Sequence, residues 1–396
     1  MNTKLTFVMF IDAFGWEVLQ QNKFMEEELP FRKRMDTVFG YSCTAIPTIL
    51  TGKTPAEHKH FSFFYHSENS PFSRLKPLGY LPEFIAGRGR VRSKMSNIIR
   101  RLYGYTGYFQ LYNLPFEDLD LFDYCEKKDM YMPGAMAPCD TLFDEMVKRK
   151  TPYYVSDWRK SEEYNIAEME GVLKEGKVRL AYLYTAAMDS LLHRRGKDHS
   201  DIPKKVAFYE RNLKRLLAVA RESYEEVDVV IFSDHGMNTI HETVDVMSEI
   251  ASTGLTFRKD YVAVYDSTMA RFWFKGNDSS REKIVRKLKS LNYGRLLTKE
   301  ELGAWGCYFE DGQYGELFFL LNPGVLMVPS HMGKTPLKGM HGYDPFSPDA
   351  YAMMVSNRPI GDGVKGLTNV RAHIESLVFE PVIKSGVCNV SQGRAA

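Results

Sequence analysis

At 396 residues, with 44% hydrophobic and 26% charged residues, the chain has the composition of a globular protein of one large or two to three ordinary domains. A net charge of +2 excludes a polyanion-coating protein and an acidic-tail protein, so no nucleic-acid partner is expected. Five cysteines (Cys43, Cys125, Cys139, Cys307 and Cys388) are odd in number and lack CxxC spacing, which predicts reduced structural thiols rather than a disulfide frame or a Cys-rich zinc site.

The first apolar run, Leu5–Ile11, reads as a buried strand. A signal peptide would need a basic region and a small-residue cleavage site, and this run is followed at once by the acid Asp12. No stretch reaches the roughly 18 uninterrupted apolar residues of a membrane span. The expected location is therefore the cytoplasm. Asp12 sits at the strand end, ahead of Ala-Phe-Gly and a helical pattern through Trp16–Leu19. Next comes GYSCTAIPTILTG, a turn that runs into a helix closing near Thr51-Gly52, with Ser42 and Thr44 as candidate hydroxyls. With Thr44 as N-cap, Pro47 would fall at N3, where its missing N–H costs nothing, so local helix rules favour Thr44.

Residues 61–140 are rich in aromatic and basic groups and break the pattern. Val178–Tyr184 then reads as a strand leading to Asp189 and His193, an i, i+4 pair that shares one helix face. Apolar residues at helical spacing (Val206, Phe208, Leu213, Leu216, Leu217, Val219) predict a helix within Ile202–Tyr224. Val227–Phe232 predicts a third strand, which delivers Asp234-His235-Gly236. Residues 255–335 read as strand, helix, strand, a small α+β unit. His341 follows between Gly339 and Gly342, and the chain closes with a strand near Ala352–Val355 and a helix near Thr368–Leu377 capped by Thr368. Strands that are nearly all apolar and alternate with helices predict an α/β fold, a central mostly parallel sheet sandwiched by helices. The core would comprise 1–60, 141–254 and 336–396, with 61–140 and 255–335 inserted as caps over the site.

In such sheets ligands gather beyond the carboxyl ends of the strands, where Asp12, Asp189 and Asp234 fall. Asp12, Asp189, Asp234, His193, His235 and His341, with one hydroxyl, make a donor set of oxygens and imidazoles suited to two divalent ions, zinc or manganese. Each segment also has a plainer reading. Asp189 and His193 would serve as a surface pair, SDHG as an ordinary turn, His341 as a structural histidine, and the Ser42–Thr44 turn as a cap alone.

Taken in order, Asp12, the hydroxyl turn with TGKTPAEH, Asp189-x-x-x-His193, Asp234-His235-Gly236 and His341-Gly resemble the alkaline phosphatase superfamily. The closest branch is that of the nucleotide pyrophosphatases/phosphodiesterases. The resemblance implies a mixed sheet between helices, two metal ions (commonly zinc), and in-line attack by a metal-bound hydroxyl to give a covalent phospho-enzyme that water cleaves. It implies that Asp12, Ser42, Asp234 and His235 bind one ion and that Asp189, His193 and His341 bind the other. The branch places its nucleophile nine residues before the Thr of the Thr-Gly pair, which from Thr51 selects Ser42 over Thr44 and outweighs the capping argument. The chain departs from the branch in lacking a Thr followed two residues on by proline at that position. It also lacks the Cys-x-Pro-x-Arg of the sulfatases.

The function implied is that of a metal-dependent phosphodiesterase or nucleotide pyrophosphatase acting on a small phosphorylated, nucleotide-containing substrate. A phosphomonoesterase or phosphotransferase of the same superfamily, or a non-catalytic binding protein of that fold, is the alternative. Monoesterases of the superfamily hold the extra charge with an arginine or a third metal, and no group is assigned to that role beside the ligand motifs, which favours a diester or pyrophosphate. Lys53 and His58, near the nucleophile turn, are candidate substrate contacts. Phe61–Tyr65 and Tyr103–Tyr112 would either stack on a base or sugar or form the cap's own core. The basic run from Arg88 to Arg101 would either meet a polyanion or form a solvated helix face.

Overall fold

The computed structural model describes residues 3–380, and Cys388 lies outside them. The four described cysteines are all free thiols.

The apolar runs form the middle of a six-stranded sheet in the order Phe31–Met35, Ala352–Ser356, Glu226–Phe232, Lys4–Ile11, Leu180–Thr185, Tyr153–Val155. Lys4–Ile11 lies at the centre, parallel to Glu226–Phe232 on one side and Leu180–Thr185 on the other. Only Ala352–Ser356 runs against the rest, pairing antiparallel with both neighbours. Strand periodicity sorts the core. Leu5, Phe7, Met9 and Ile11 face one side, where helices Trp16–Gln21, Glu162–Glu175, Ala187–Arg195 and Asp201–Ser223 pack. Val8 and Phe10 face the other, covered by Ser42–Thr51, Leu142–Lys148 and Val370–Phe379. The last helix starts later than Thr368, which lies in the 3₁₀ turn Leu367–Asn369 ahead of it, so the cap position falls to Asn369.

A second, antiparallel sheet has the order Val262–Tyr265, Met269–Trp273, Leu317–Leu321, Gly294–Leu296. One face packs on helix Asp278–Lys289 through Ile284 and Leu288. On the other face Val262, Val264 and Trp273 share a core with Phe64, Phe72, Phe109, Leu119 and Tyr124, so chain from the two irregular stretches packs together. Arg271, fully buried, ties them: its Nε meets Asp266 Oδ2 at 2.8 Å and its guanidinium donates to the Phe64 carbonyl at 2.9 Å. Among the described residues no helix is long and apolar enough to cross a membrane.

Candidate metal centre and its cleft

Three strand ends and two tight turns build the floor of the site. Strand Lys4–Ile11 hands over to Asp12 and then to Ala13, which takes a left-handed φ of 61°, a conformation that costs an L-residue about 1 kcal/mol. That turn aims the Ala13 N–H at Asp234 Oδ1, 3.1 Å away. Asp234 and His235 follow strand Glu226–Phe232, and the turn is packed so tightly that a Cβ on Gly236 would lie 2.2 Å from the Asp349 carbonyl oxygen. Asp189 and His193 stand one turn apart on helix Ala187–Arg195, with Asp189 Oδ1 3.1 Å from His193 Nε2. His341 enters from the far end of the chain. Its Nε2 lies 3.8 Å from Asp189 Oδ1, and its ring stacks on His235 with centroids 3.6 Å apart. Gly342, at φ 87°, lets that loop close on Tyr41 and Gly40, where a side chain would collide.

Several polar atoms gathered there have imidazoles or carboxylates as neighbours but no hydrogen bond. Asp12 Oδ1, Asp189 Oδ1, Asp234 Oδ2 and His341 Nδ1 are buried without a hydrogen bond. Burial, with Asp234 and Asp189 nearby, pushes Asp12 well above the usual carboxylate range. Burial likewise raises Asp234 to about 7. Asp189 is buried too, yet His193 and His341 hold its carboxyl below that range. His193 rises to about 9, because Asp189 outweighs the effect of burial. His193 Nδ1–H donates to Gly339 O at 2.8 Å and His235 Nδ1–H to Gly236 O at 2.9 Å, so both rings turn Nε2 toward the acids. Two donor groups result, Asp189–His193–His341 and Asp12–Asp189–His235, each with its ligand atoms within 4.8 Å of one another. Asp234 Oδ2, 3.2 Å from His235 Nε2, adjoins the second. Buried carboxylates crowded with imidazoles fit divalent cations, which would satisfy the orphaned oxygens of Asp12, Asp189 and Asp234. A third acidic group, Glu226, Asp228 and Glu380, is already satisfied by Lys4 Nζ at 3.1, 3.0 and 3.1 Å.

The hydroxyl turn differs from the capping expectation. The helix spans Ser42–Thr51 with Tyr41 at the N-cap, so Thr44 is at the third helical position and Pro47 lies inside the helix. Tyr41 decides this. Its OH is 2.8 Å from Thr268 Oγ1, which itself donates to the Gly342 carbonyl, so the chain is fixed before local capping preferences act. Ser42 Oγ faces His235 Nε2 at 3.3 Å. Thr44 is fully buried, and its hydroxyl donates to the Phe61 carbonyl, away from the floor. Lys53 and His58 are not brought to the site either. They follow the C-terminal end of this ten-residue helix, about 15 Å from its start. Lys53 pairs with Glu57 in solvent, and buried His58 bonds Thr48 Oγ1 at 3.0 Å.

Above the floor opens a cavity of about 640 Å³ lined by Ser42, Asp12, Asp189, His193 and His341 and, on its wall, by Phe63, Tyr108, Tyr112 and Trp158. The aromatic segments thus divide: Phe61 and Phe64 are buried in the core, while Phe63, Tyr108 and Tyr112 face the cleft. The basic run forms helix Gly89–Leu102, with Arg92 turned inward to carbonyls, and lines no part of the cleft. Sequence reasoning missed Tyr184, whose OH donates to Asp12 Oδ2 at 2.7 Å, although its place at the end of a buried strand was a signal. It also missed Glu126 and Trp158, for which short irregular segments carry no pattern.

A family model described as type I phosphodiesterase/nucleotide pyrophosphatase matches residues 6–344. An ectonucleotide pyrophosphatase/phosphodiesterase of Caenorhabditis elegans is 26% identical over 165 residues, 41% of this chain and 19% of that protein, so the match spans about a fifth of the relative's length. The structure of human ectonucleotide pyrophosphatase/phosphodiesterase 5 superposes with a TM-score of 0.65 at 13% identity, covering 95% of this chain and 94% of that one. Its murine counterpart, an inactive variant in complex with AMP, gives a TM-score of 0.63 at 14% identity, with 95% of both chains covered. At such identities the superpositions speak for the fold, a mixed sheet between helices. With the family model matching from the first strand to just past His341, the chain belongs to the type I phosphodiesterase/nucleotide pyrophosphatase family of the alkaline phosphatase superfamily.

Proposed function

We propose that the protein hydrolyses a phosphodiester or pyrophosphate bond in a small, nucleotide-containing substrate, with Ser42 as nucleophile. The observation that carries this is the position of Ser42 Oγ. It stands at a helix N-terminus, 3.3 Å from His235 Nε2, beside buried acids whose inner oxygens Asp12 Oδ1, Asp189 Oδ1 and Asp234 Oδ2 make no hydrogen bond. Asp12, Ser42, Asp234 and His235 would hold one divalent ion and Asp189, His193 and His341 the other, with zinc the first choice for this donor set and manganese the second. When bound, such ions supply Lewis-acid charge at the phosphoryl oxygens.

The protein's own groups do the rest. Thr44 N–H is taken by the Tyr41 carbonyl at 2.7 Å, while the Ser42 and Cys43 amides have no intrahelical partner and, with the helix dipole, favour an anionic phosphoryl group next to Ser42. Tyr41, pinned by Thr268, holds the Ser42 backbone in place. Ser42 Oγ attacks phosphorus in line, the leaving oxygen departs on the opposite side, and water then cleaves the phosphoseryl enzyme. Glu126, Asp129 and Asp266 line the cleft together with Lys128 and Lys334, and no arginine does among the described residues, so no guanidinium fork stands ready for a dianionic monoester, which favours a diester. The AMP bound to the murine relative supports a nucleotide.

The test is initial rates on an aryl phosphodiester and the matching monoester, each with zinc and with manganese. Ser42→Ala should lower diester turnover by at least about 10³-fold while the metal content per chain stays unchanged. A preference for the monoester would make the protein a phosphatase. No turnover of either ester would favour a binding protein.

A further inference from the structure

Glu126 shares the cleft but belongs to neither donor group. It is 4% exposed and lines the cavity, and its carboxyl makes no hydrogen bond or ion pair with any described residue. Its backbone is fixed against the turn that carries the aromatic wall. Thr106 N–H donates to Lys127 O at 3.0 Å, and a Cβ on Gly107 would lie 2.4 Å from Glu126 O. Tyr108, one residue on, has its hydroxyl 2.9 Å from that of Tyr112, and Phe63 lies with its centroid 5.6 and 5.5 Å from those two rings. A largely buried carboxyl without a partner is unfavourable in a folded protein unless something fills the space before it.

We propose that Glu126 is a specificity-determining residue that hydrogen-bonds a hydroxyl of a sugar ring esterified to the reacting phosphate, with the ring laid against Tyr108, Tyr112 and Phe63. This rests on the phosphodiester reading above. The geometry favours a sugar because Glu126 and Ser42 line the same cleft, and in a nucleotide the sugar is the first ring beyond phosphorus, with the base one ring farther out. Aromatic faces also receive the C–H face of a sugar while a carboxyl takes its hydroxyl. The sugar could be the ribose of a nucleotide or a hexose.

The probes are p-nitrophenyl diesters of a ribonucleoside 5′-phosphate, of a hexose 6-phosphate, of phosphocholine and of p-nitrophenol itself. Glu126→Ala should lower kcat/KM about tenfold or more on whichever sugar ester is the substrate, and less than about twofold on the bis-aryl ester. Glu126→Gln, which keeps an acceptor, should recover part of the loss. The sugar ester that suffers identifies the source. Equal losses on all esters, no loss on any, or a loss confined to the phosphocholine ester would overturn the proposal. Calorimetric binding of the two sugar phosphates, with inorganic phosphate as control, is scored separately from turnover. Weakening of about tenfold in Glu126→Ala for a sugar phosphate alone supports the proposal, and equal binding refutes it. A wild-type protein inert on every ester would count against the phosphodiesterase reading, not against this one.

Discussion

On the floor of the cleft, Asp12 and Asp234 each follow a strand of one parallel trio, and the helix bearing Asp189 and His193 follows the third. The wall is made otherwise: Phe63, Tyr108, Tyr112 and Glu126 come from short or irregular segments between residues 61 and 140, braced by aromatic contacts and a few backbone bonds. The floor therefore keeps its donors in register because the sheet does, and it tolerates charge that is badly solvated without an ion. The wall has every large ring packed on another ring, with one carboxyl left unpaired. On the proposed function, chemistry would sit on the rigid part of the molecule and selectivity on the part free to vary.

Three changes test that division, beginning with the largest expected effect. Asp234→Asn replaces a buried donor of the floor with a neutral amide. It should lose metal, read by elemental analysis, and lower turnover of every substrate by more than about a hundredfold, since even outer-shell changes around metals cost 10–100-fold. In the metal-free protein the same change should stabilise. Burial raises Asp234 to about 7 in the fold, against about 3.9 unfolded, so the fold binds the proton more tightly and loses that advantage as pH rises from about 4 to about 7. Asn carries no such charge, so the Tm of the chelated variant should gain on wild type across that window. Saturating zinc should restore the lead to wild type, because ions bind only the folded protein. A variant that kept its metal would remove Asp234 from the floor.

On the wall, Phe63→Leu keeps the apolar volume and removes the ring. It should lower kcat/KM on the order of tenfold for ring-bearing diesters only, with metal content unchanged. A uniform loss on all substrates would erase the division between floor and wall. The smallest effect belongs to a residue of neither region. Lys53→Ala breaks a solvent-exposed pair with Glu57 and should leave kcat/KM within about twofold and Tm within about 1 °C. A larger drop in kcat/KM would bring the far end of the Ser42–Thr51 helix into the site.

The floor was legible in the sequence because it follows sheet logic: apolar strands of six to eight residues, each followed closely by an acid. The edge strand Phe31–Met35 was missed. Its sequence, FRKRM, has no buried alternation and pairs with one neighbour only. Local capping preferences misplace the start of helix Ser42–Thr51 because Tyr41 is held by Thr268, more than two hundred residues away in the chain. Glu126 and Trp158 left no trace at all, since irregular chain carries no period from which burial can be inferred.

By itself, the sequence determined the parallel core, the strand ends where acids and imidazoles collect, and the family order of the motifs, because these rest on local periodicity and on residues close in the chain. The tertiary structure alone decided which hydroxyl faces His235, that Asp189 serves both donor groups, that Lys53 and His58 lie at the wrong end of a helix, and that an unpaired Glu126 looks into the cleft. Each of these depends on contacts between segments far apart in the chain, and no local pattern encodes the direction in which a folded helix or loop turns a single side chain.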